Sequence, residues 1–108
     1  MNDELAKLYE TILERKKNPS EGSYTGYLFT QGIDKILKKC GEECAETIIA
    51  AKNGDKPEII LELSDLLFHL HVLMAQMDIT PDHISAELEK RSAKTGNLKQ
   101  MRVTDKNT

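Results

Sequence analysis

Four carboxylates, Glu43, Glu46, Glu62 and Asp65, are the residues of this chain best placed to do chemistry. They form two pairs, each three residues apart. On a helix that spacing brings side chains onto one face, with Cβ atoms roughly 5–6 Å apart. In the stretch around the first pair, Ile36, Cys40, Glu43, Thr47 and Ala50 follow one helical stripe, with Glu46 at its edge. In the next, Ile59, Glu62, Leu66, His69 and Leu73 do the same, with Asp65 at the edge. The acids therefore interrupt faces that otherwise point inward. A single acidic pair is common on a solvated helix, but two pairs on apolar stripes are costly, because burial and like charge both oppose ionisation. A hard, all-oxygen site of this kind suits Mg²⁺ or Mn²⁺ rather than zinc. Glu42 stands beside Glu43, either as a solvated neighbour or as a further contributor.

Other polar residues cluster nearby. Lys35 and Lys39 share a helical face just upstream, where they either bind phosphate or form a solvated basic flank; Lys38 fits the solvated flank better. His69 lies one turn after Asp65 and reads as a hydrogen-bonded core residue rather than a ligand. His83 falls near a helix start, where exposure is expected. Met74 and Met77 read as core filler. Cys40 and Cys44, four apart, have no third Cys or His nearby to complete a zinc set, so they read as small packed residues.

Helices must position these groups. The first is expected over Asp3 to Lys17, with Leu5, Leu8, Tyr9, Ile12 and Leu13 on one face, Asn2 as cap, and Asn18-Pro19 as its end. Residues 18–28 read as a loop, rich in glycine and hydroxyls. The next helix runs from Ile33 to Asn53 with Gly41 inside it, where a small residue would admit close approach, and Gly54 is its left-handed stop. Asp55 caps a third helix, with Glu58 placed as in a capping box. That helix is apolar around most of its circumference and is expected to be central and most buried. Thr80-Pro81 opens a last helix to about Lys94, with Ile84, Ala86 and Leu88 inward and Gly96 as terminator. No alternating strand pattern is present. The fold class is all-α, a four-helix bundle, with one domain over residues 1–96 and a polar, mobile tail over 97–108.

Composition narrows the function. The chain has 108 residues with a net charge of −3, which offers no electrostatic footprint for nucleic acid. No stretch is long and apolar enough for a membrane span, and the start does not resemble a signal peptide, so a reducing cytoplasmic setting is expected. A chain this short has little core for its surface, and a dimer would help it.

The segment Glu42-Glu43-Cys44-Ala45-Glu46, fifteen intervening residues, and Glu62-Leu63-Ser64-Asp65 resemble the E-x-x-E…E-x-x-D signature of MazG-type all-α nucleotide pyrophosphohydrolases. Gly22-Ser23-Tyr24-Thr25, Gly32-Ile33-Asp34-Lys35-Ile36, Lys39-Cys40-Gly41-Glu42-Glu43 and Asp65-Leu66-Leu67-Phe68-His69-Leu70 narrow the resemblance to the phosphoribosyl-ATP pyrophosphohydrolases. Near Arg91 the chain keeps the Leu-Glu-x-Arg character but lacks a histidine-glycine pair after the arginine. The resemblance implies Mg²⁺-dependent hydrolysis of phosphoribosyl-ATP to phosphoribosyl-AMP and pyrophosphate, the second step of histidine biosynthesis. It implies a MazG-like bundle completed by homodimerisation, and a standalone form without the cyclohydrolase domain often fused to this family. It further implies metal binding by Glu43, Glu46, Glu62 and Asp65. The general base is then Glu43 or Glu46, with Glu42 a further candidate, and Ser23, Tyr24, Thr25, Lys35, Lys39 and Arg91 contact substrate. Two rival readings are a house-cleaning pyrophosphohydrolase of other nucleoside triphosphates and a non-catalytic helical dimerisation module. A di-iron bundle would need Glu-x-x-His pairs, whereas His69 follows Asp65 by four.

Overall fold

The computed structural model describes residues 3–93. Among them are five helices and no strand: α1 Glu4–Lys17, α2 Tyr24–Gln31, α3 Ile33–Asn53, α4 Lys56–Gln76 and α5 Pro81–Ser92. The expected cap at Asn2, terminator at Gly96 and tail from Asn97 lie outside the described residues.

The bounds of α3 agree with the sequence reading, and Gly54 ends it in the left-handed region at φ 69°. Only glycine takes that conformation without strain, so the turn is written into the residue. Asp55 follows at once and accepts a hydrogen bond from the Glu58 backbone N–H at 3.2 Å, starting α4. A two-residue connection leaves α3 and α4 side by side, and this is the most extensive helix packing in the chain. At α5 the full capping box forms, but with His83 as the reciprocal partner: Thr80 Oγ1 accepts from His83 N, and Thr80 N donates to His83 Nδ1.

The loop expected over 18–28 is shorter than that reading, because α2 begins at Tyr24. Ser23 accepts a hydrogen bond from the Gly26 N–H at 3.0 Å and so caps a helix that local composition disfavours. Burial decides the matter: Leu28 and Gly26 are enclosed, and Gly32 at φ 91° closes the segment. Tertiary packing here overrides the turn-forming character of Gly-Ser-Tyr-Thr-Gly.

The core draws on four helices: Tyr9 and Ile12 from α1, Leu28 from α2, Ile36 and Cys40 from α3, Val72 and Ala75 from α4. Polar bonds at its end tie α1 to the last turn of α4. Tyr9 Oη donates to the Ile79 carbonyl at 2.7 Å, and Lys16 Nζ donates to the Ala75 carbonyl at 2.9 Å. As expected, α4 touches α1, α2 and α3. Burial is confined to its second half, however; Ile60, Leu61, Leu63 and Leu67 in the first half are exposed. The physical reason is that a single chain supplies neighbours for only one side of so apolar a helix. On α5, Ile84, Ala86 and Leu88 are exposed rather than inward, and the helix buries no residue at all. Leu5 and Met77 are also exposed, while Met74 packs against the core. Of the two cysteines, Cys40 is buried and Cys44 is exposed; both are free thiols.

A Cβ added at Gly41 would meet nothing within 4 Å, so no segment of this chain approaches it closely. Gly41→Ala should therefore stabilise the protein by about 0.5–1 kcal/mol, the helix-propensity gain. Leu28→Ala, at a fully enclosed site, should cost about 2–5 kcal/mol. Urea unfolding of both variants against the wild type checks the pair.

Candidate metal centre

The antiparallel pairing of α3 and α4 sets the site. Cys40 faces His69, its thiol donating to the His69 carbonyl at 3.5 Å. One step toward the Gly54 turn, Glu43 faces Asp65, and a further step brings Glu46 to Glu62. One oxygen each from Glu43, Glu62 and Asp65 lies within 4.8 Å of the others. Glu43 is 7% exposed, Glu62 half-buried and Asp65 exposed, so the cluster opens from the helix interface toward solvent. Glu46 is exposed at its edge, where its charge acts on both Glu43 and Glu62.

Crowding shifts these acids. Burial raises the Glu43 carboxyl above its ordinary range, and the charges of Glu46 and Asp65 raise it further; His69 and a hydrogen bond with Glu62 pull the other way. Glu62 is pushed up to about 7 by desolvation, by the negative charge of Glu46, and by hydrogen bonds with Glu46 and Glu43 that favour its protonated form. Oε2 of Glu43 is buried and has no hydrogen-bond partner. Such an atom costs free energy unless something arrives to meet it. The donor set around it is all oxygen, and a small hard divalent cation fits that set.

The other expected site residues divide. Tyr24 and Lys39 come to the acids. The Tyr24 phenol is raised by burial, offset by the Lys39 charge and raised again by Glu43. Lys39 is raised chiefly by its hydrogen bond to Glu42, with Nζ 3.3 Å from Oε1. Lys35 lies one turn before Lys39, its Nζ 5.9 Å from the centre of the Tyr27 ring. Ser23 spends its hydroxyl on capping α2, and Thr25 is half-buried on the same helix. Arg91 is on exposed α5, bonded to Glu87 at 2.9 Å, and no described bond joins it to the acids. Glu42 is exposed and turned to Lys39.

His69 and His71 are buried, and each ring Nδ1 bonds the carbonyl one turn back, Asp65 at 2.8 Å and Leu67 at 2.7 Å. The expectation of a hydrogen-bonded core histidine holds for His69. The sequence reading missed its second bond, between Nε2 and Tyr24 Oη, 2.9 Å apart and joining residues 45 positions apart in the chain. It also missed a stack of Tyr27, Tyr24 and Phe68, with adjacent centroids 6.1 Å apart. Only the density of aromatics in Tyr24-Thr25-Gly26-Tyr27 hinted at it.

Known proteins resemble this chain over most of its length. Residues 5–92 match the family described as Phosphoribosyl-ATP pyrophosphohydrolase. The phosphoribosyl-ATP pyrophosphatase of Clostridium botulinum (strain Kyoto / Type A2) is 53% identical over 103 residues, 95% of this chain and 94% of that protein. That of Bacillus mycoides (strain KBAB4) is 50% identical over 105 residues, 97% of this chain and 98% of the relative. The histidine biosynthesis bifunctional protein HisIE of Caldanaerobacter subterraneus subsp. tengcongensis is 59% identical over 90 residues, 83% of this chain but 44% of that longer protein.

The Glu62 shift gives a pH signature. Its carboxyl titrates at about 7 in the fold and at 4.5 in a free chain. A raised folded value means its contribution to stability is fully present below the unfolded value and is lost as pH rises through the folded one. The melting temperature of the metal-free protein should therefore fall between about pH 5 and about pH 8. Glu62→Gln should flatten that slope, and added Mg²⁺ should raise the melting temperature most at the alkaline end. Calorimetry across this range with and without Mg²⁺ checks all three.

Proposed function

We infer the activity from one premise: this chain belongs to the phosphoribosyl-ATP pyrophosphohydrolase family. It is an enzyme, and it hydrolyses phosphoribosyl-ATP to phosphoribosyl-AMP and pyrophosphate, the second step of histidine biosynthesis. At the site, the observation that supports this reading is the unpartnered Glu43 oxygen at the head of a convergent acid cluster.

Glu43, Glu46, Glu62 and Asp65 would hold Mg²⁺, for which Mn²⁺ is the natural substitute. The bound cation supplies charge neutralisation on the phosphates and a more acidic water. Around it the chain's own groups do the rest. Lys39 and Lys35 line the approach from the N-terminal side of α3 and take phosphate oxygens; Lys39 exchanges its exposed bond with Glu42 for them. Ser23 holds the first turn of α2, so that Tyr24 and Thr25 order against substrate. Water attacks the substrate, the bond between the α and β phosphates breaks, pyrophosphate leaves, and the proton passes to a carboxylate. Glu43 and Glu46 are the two candidates for that base. Glu43 has the raised affinity for a proton that suits the role, and Glu46 has the freer access. Glu42 lies one step away, on the lysine side.

The working form is a homodimer. Ile48 on α3, Ile60, Leu63 and Leu67 on α4, and Ile84 and Leu88 on α5 leave more apolar surface open than a small monomer carries comfortably. A second copy covers these faces, completes the MazG-like bundle and gives α5 something to pack on, which brings Arg91 into the substrate set. The catalytic domain comprises the described residues 3–93. The enzyme acts in the cytoplasm on a small-molecule substrate, and its net charge of −3 gives nucleic acid no purchase. Among the described residues, no helix is long and apolar enough to cross a membrane.

Pyrophosphate release from phosphoribosyl-ATP should require Mg²⁺ and exceed release from dCTP, dUTP or ATP; the reverse order would favour the house-cleaning reading. Glu46→Gln and Asp65→Asn should each lower kcat by about 100-fold or more with helix content intact. Near-normal turnover in both would sink the acid-site mechanism. In sedimentation velocity the wild type should run as a dimer and Leu63→Glu as a weaker one.

A further inference from the structure

The Tyr24–His69 bond lies outside the proposed set of metal ligands, and its polarity can be worked out from its neighbours. The Asp65 carbonyl can only accept, so the Nδ1 of His69, 2.8 Å away, must carry a proton. A ring with one proton then has a bare Nε2, which can only accept. Tyr24 Oη, 2.9 Å from that nitrogen, must be the donor. A phenol has one proton. With it committed to His69, the Tyr24 oxygen has only lone pairs left to offer.

That oxygen sits among the charges of the site. Tyr24 lies within the electrostatic reach of Lys39, Glu43 and Glu42. The ring of Tyr24 is fixed as well, standing edge to face on His69 with centroids 5.8 Å apart and stacked between Tyr27 and Phe68. His69 is itself 4% exposed and holds one ring nitrogen on the backbone of the Asp65 turn. So one buried imidazole links α2 to the helix that carries two of the acids, and it does so with a defined donor and acceptor at each end.

We propose that His69 is a positioning residue that locks Tyr24 with its hydroxyl oxygen facing the acid site as an acceptor only, and that this oxygen orients the water that attacks the substrate. The inference rests on the Mg²⁺-site reading given above. An acceptor beside carboxylates takes a neutral or cationic donor; Lys39, the cation nearby, is bonded to Glu42, and water is the donor the reaction supplies. No proton is transferred to Tyr24; it receives a hydrogen bond and aims the O–H of the nucleophile while a carboxylate removes the proton. The pair thereby makes the turnover rate depend on α2 being docked, although α2 carries none of the acids.

The test uses the full chain and four variants: Tyr24→Phe, His69→Phe, the double variant, and His69→Gln, whose amide oxygen can replace the Nε2 acceptor. ¹⁵N NMR of the metal-free wild type should show His69 as the Nδ1–H tautomer, the less common one in solution. Tyr24→Phe should lower kcat by about 10–100-fold, the usual effect of losing an orienting partner beside a metal site. The affinity for Mn²⁺, read by electron paramagnetic resonance without substrate, should not change. His69→Phe should match that loss, the double variant should be no worse than either single one, and His69→Gln should restore part of the rate. A merely structural role would move metal affinity and rate together and would give losses that multiply. The proposal is overturned by multiplicative losses, by wild-type turnover in Tyr24→Phe, or by an Nε2–H or doubly protonated His69. Failure of the wild type to bind Mn²⁺ would be a different result: it would remove the metal-site reading and this inference with it.

Discussion

Carboxylates repel one another, and the paired α3–α4 hairpin holds three of them with an oxygen of each inside 4.8 Å of the others. One oxygen of Glu43 is also shut away from water and from any hydrogen-bond partner. Each of these facts opposes folding, so the hairpin must be held shut by something else. On one side of the acids is the two-residue Gly54–Asp55 turn, which keeps the helix ends adjacent. On the other is the core, with Ile36 and Cys40 of α3 against Val72 of α4. The acids lie between these two clamps. Protonation of Glu62 relieves part of the repulsion in the empty site. A divalent cation would relieve it more completely, and strain of this kind, carried by an apolar frame, is what a preorganised binding site requires.

The same constraint explains why the fold is uneven. All the enclosed side chains larger than alanine that make the core come from the end of the molecule away from the Gly54 turn. The first half of α4 carries Ile60, Leu61, Leu63 and Leu67 outward, and α5 encloses nothing. A helix as apolar as α4 is suited to contacts on several sides, yet only its later turns, with Val72 and Ala75, contribute to the enclosed core. The acid end is thus the less supported end of a single chain. Completing the bundle there with a second copy would stiffen the very segment that holds Glu62 and Asp65.

Much of this was legible in the residues, for identifiable reasons. The ends of α3, the Gly54 stop and the Asp55 start follow from backbone chemistry that is local to a few residues, and local signals survive folding. The two acid pairs were legible because three-residue spacing and an apolar stripe need no tertiary information. What escaped was non-local. The helix at Tyr24–Gln31 forms because Leu28 is enclosed by other segments, not because Gly-Ser-Tyr-Thr-Gly favours it. Exposure of Ile84, Leu88 and Met77 could not be read from periodicity, which reports that a face is apolar but not whether this chain covers it. The Tyr24–His69 bond joins residues 45 apart, and no pattern within either helix encodes it. His69 was placed correctly as a bonded core residue, but which group it served depended on where α2 came to rest.

The two lysines show how charge is kept available at such a site. An ammonium left near four acids is drawn to whichever carboxylate is nearest and would neutralise it. Lys39 instead bonds Glu42, at 3.3 Å, on the same helix and away from the cluster. Both partners are partly exposed, and a pair of that kind is worth only about 0–1 kcal/mol. A bond that weak leaves the Lys39 ammonium able to exchange partners. Lys35 is restrained in a comparably mild way, its ammonium over the exposed ring of Tyr27. Glu42 is then neither an idle solvated acid nor a member of the cluster. Within the Glu42-Glu43 pair, Glu42 is the exposed counter-charge of Lys39 and Glu43 is the buried acid at the helix interface.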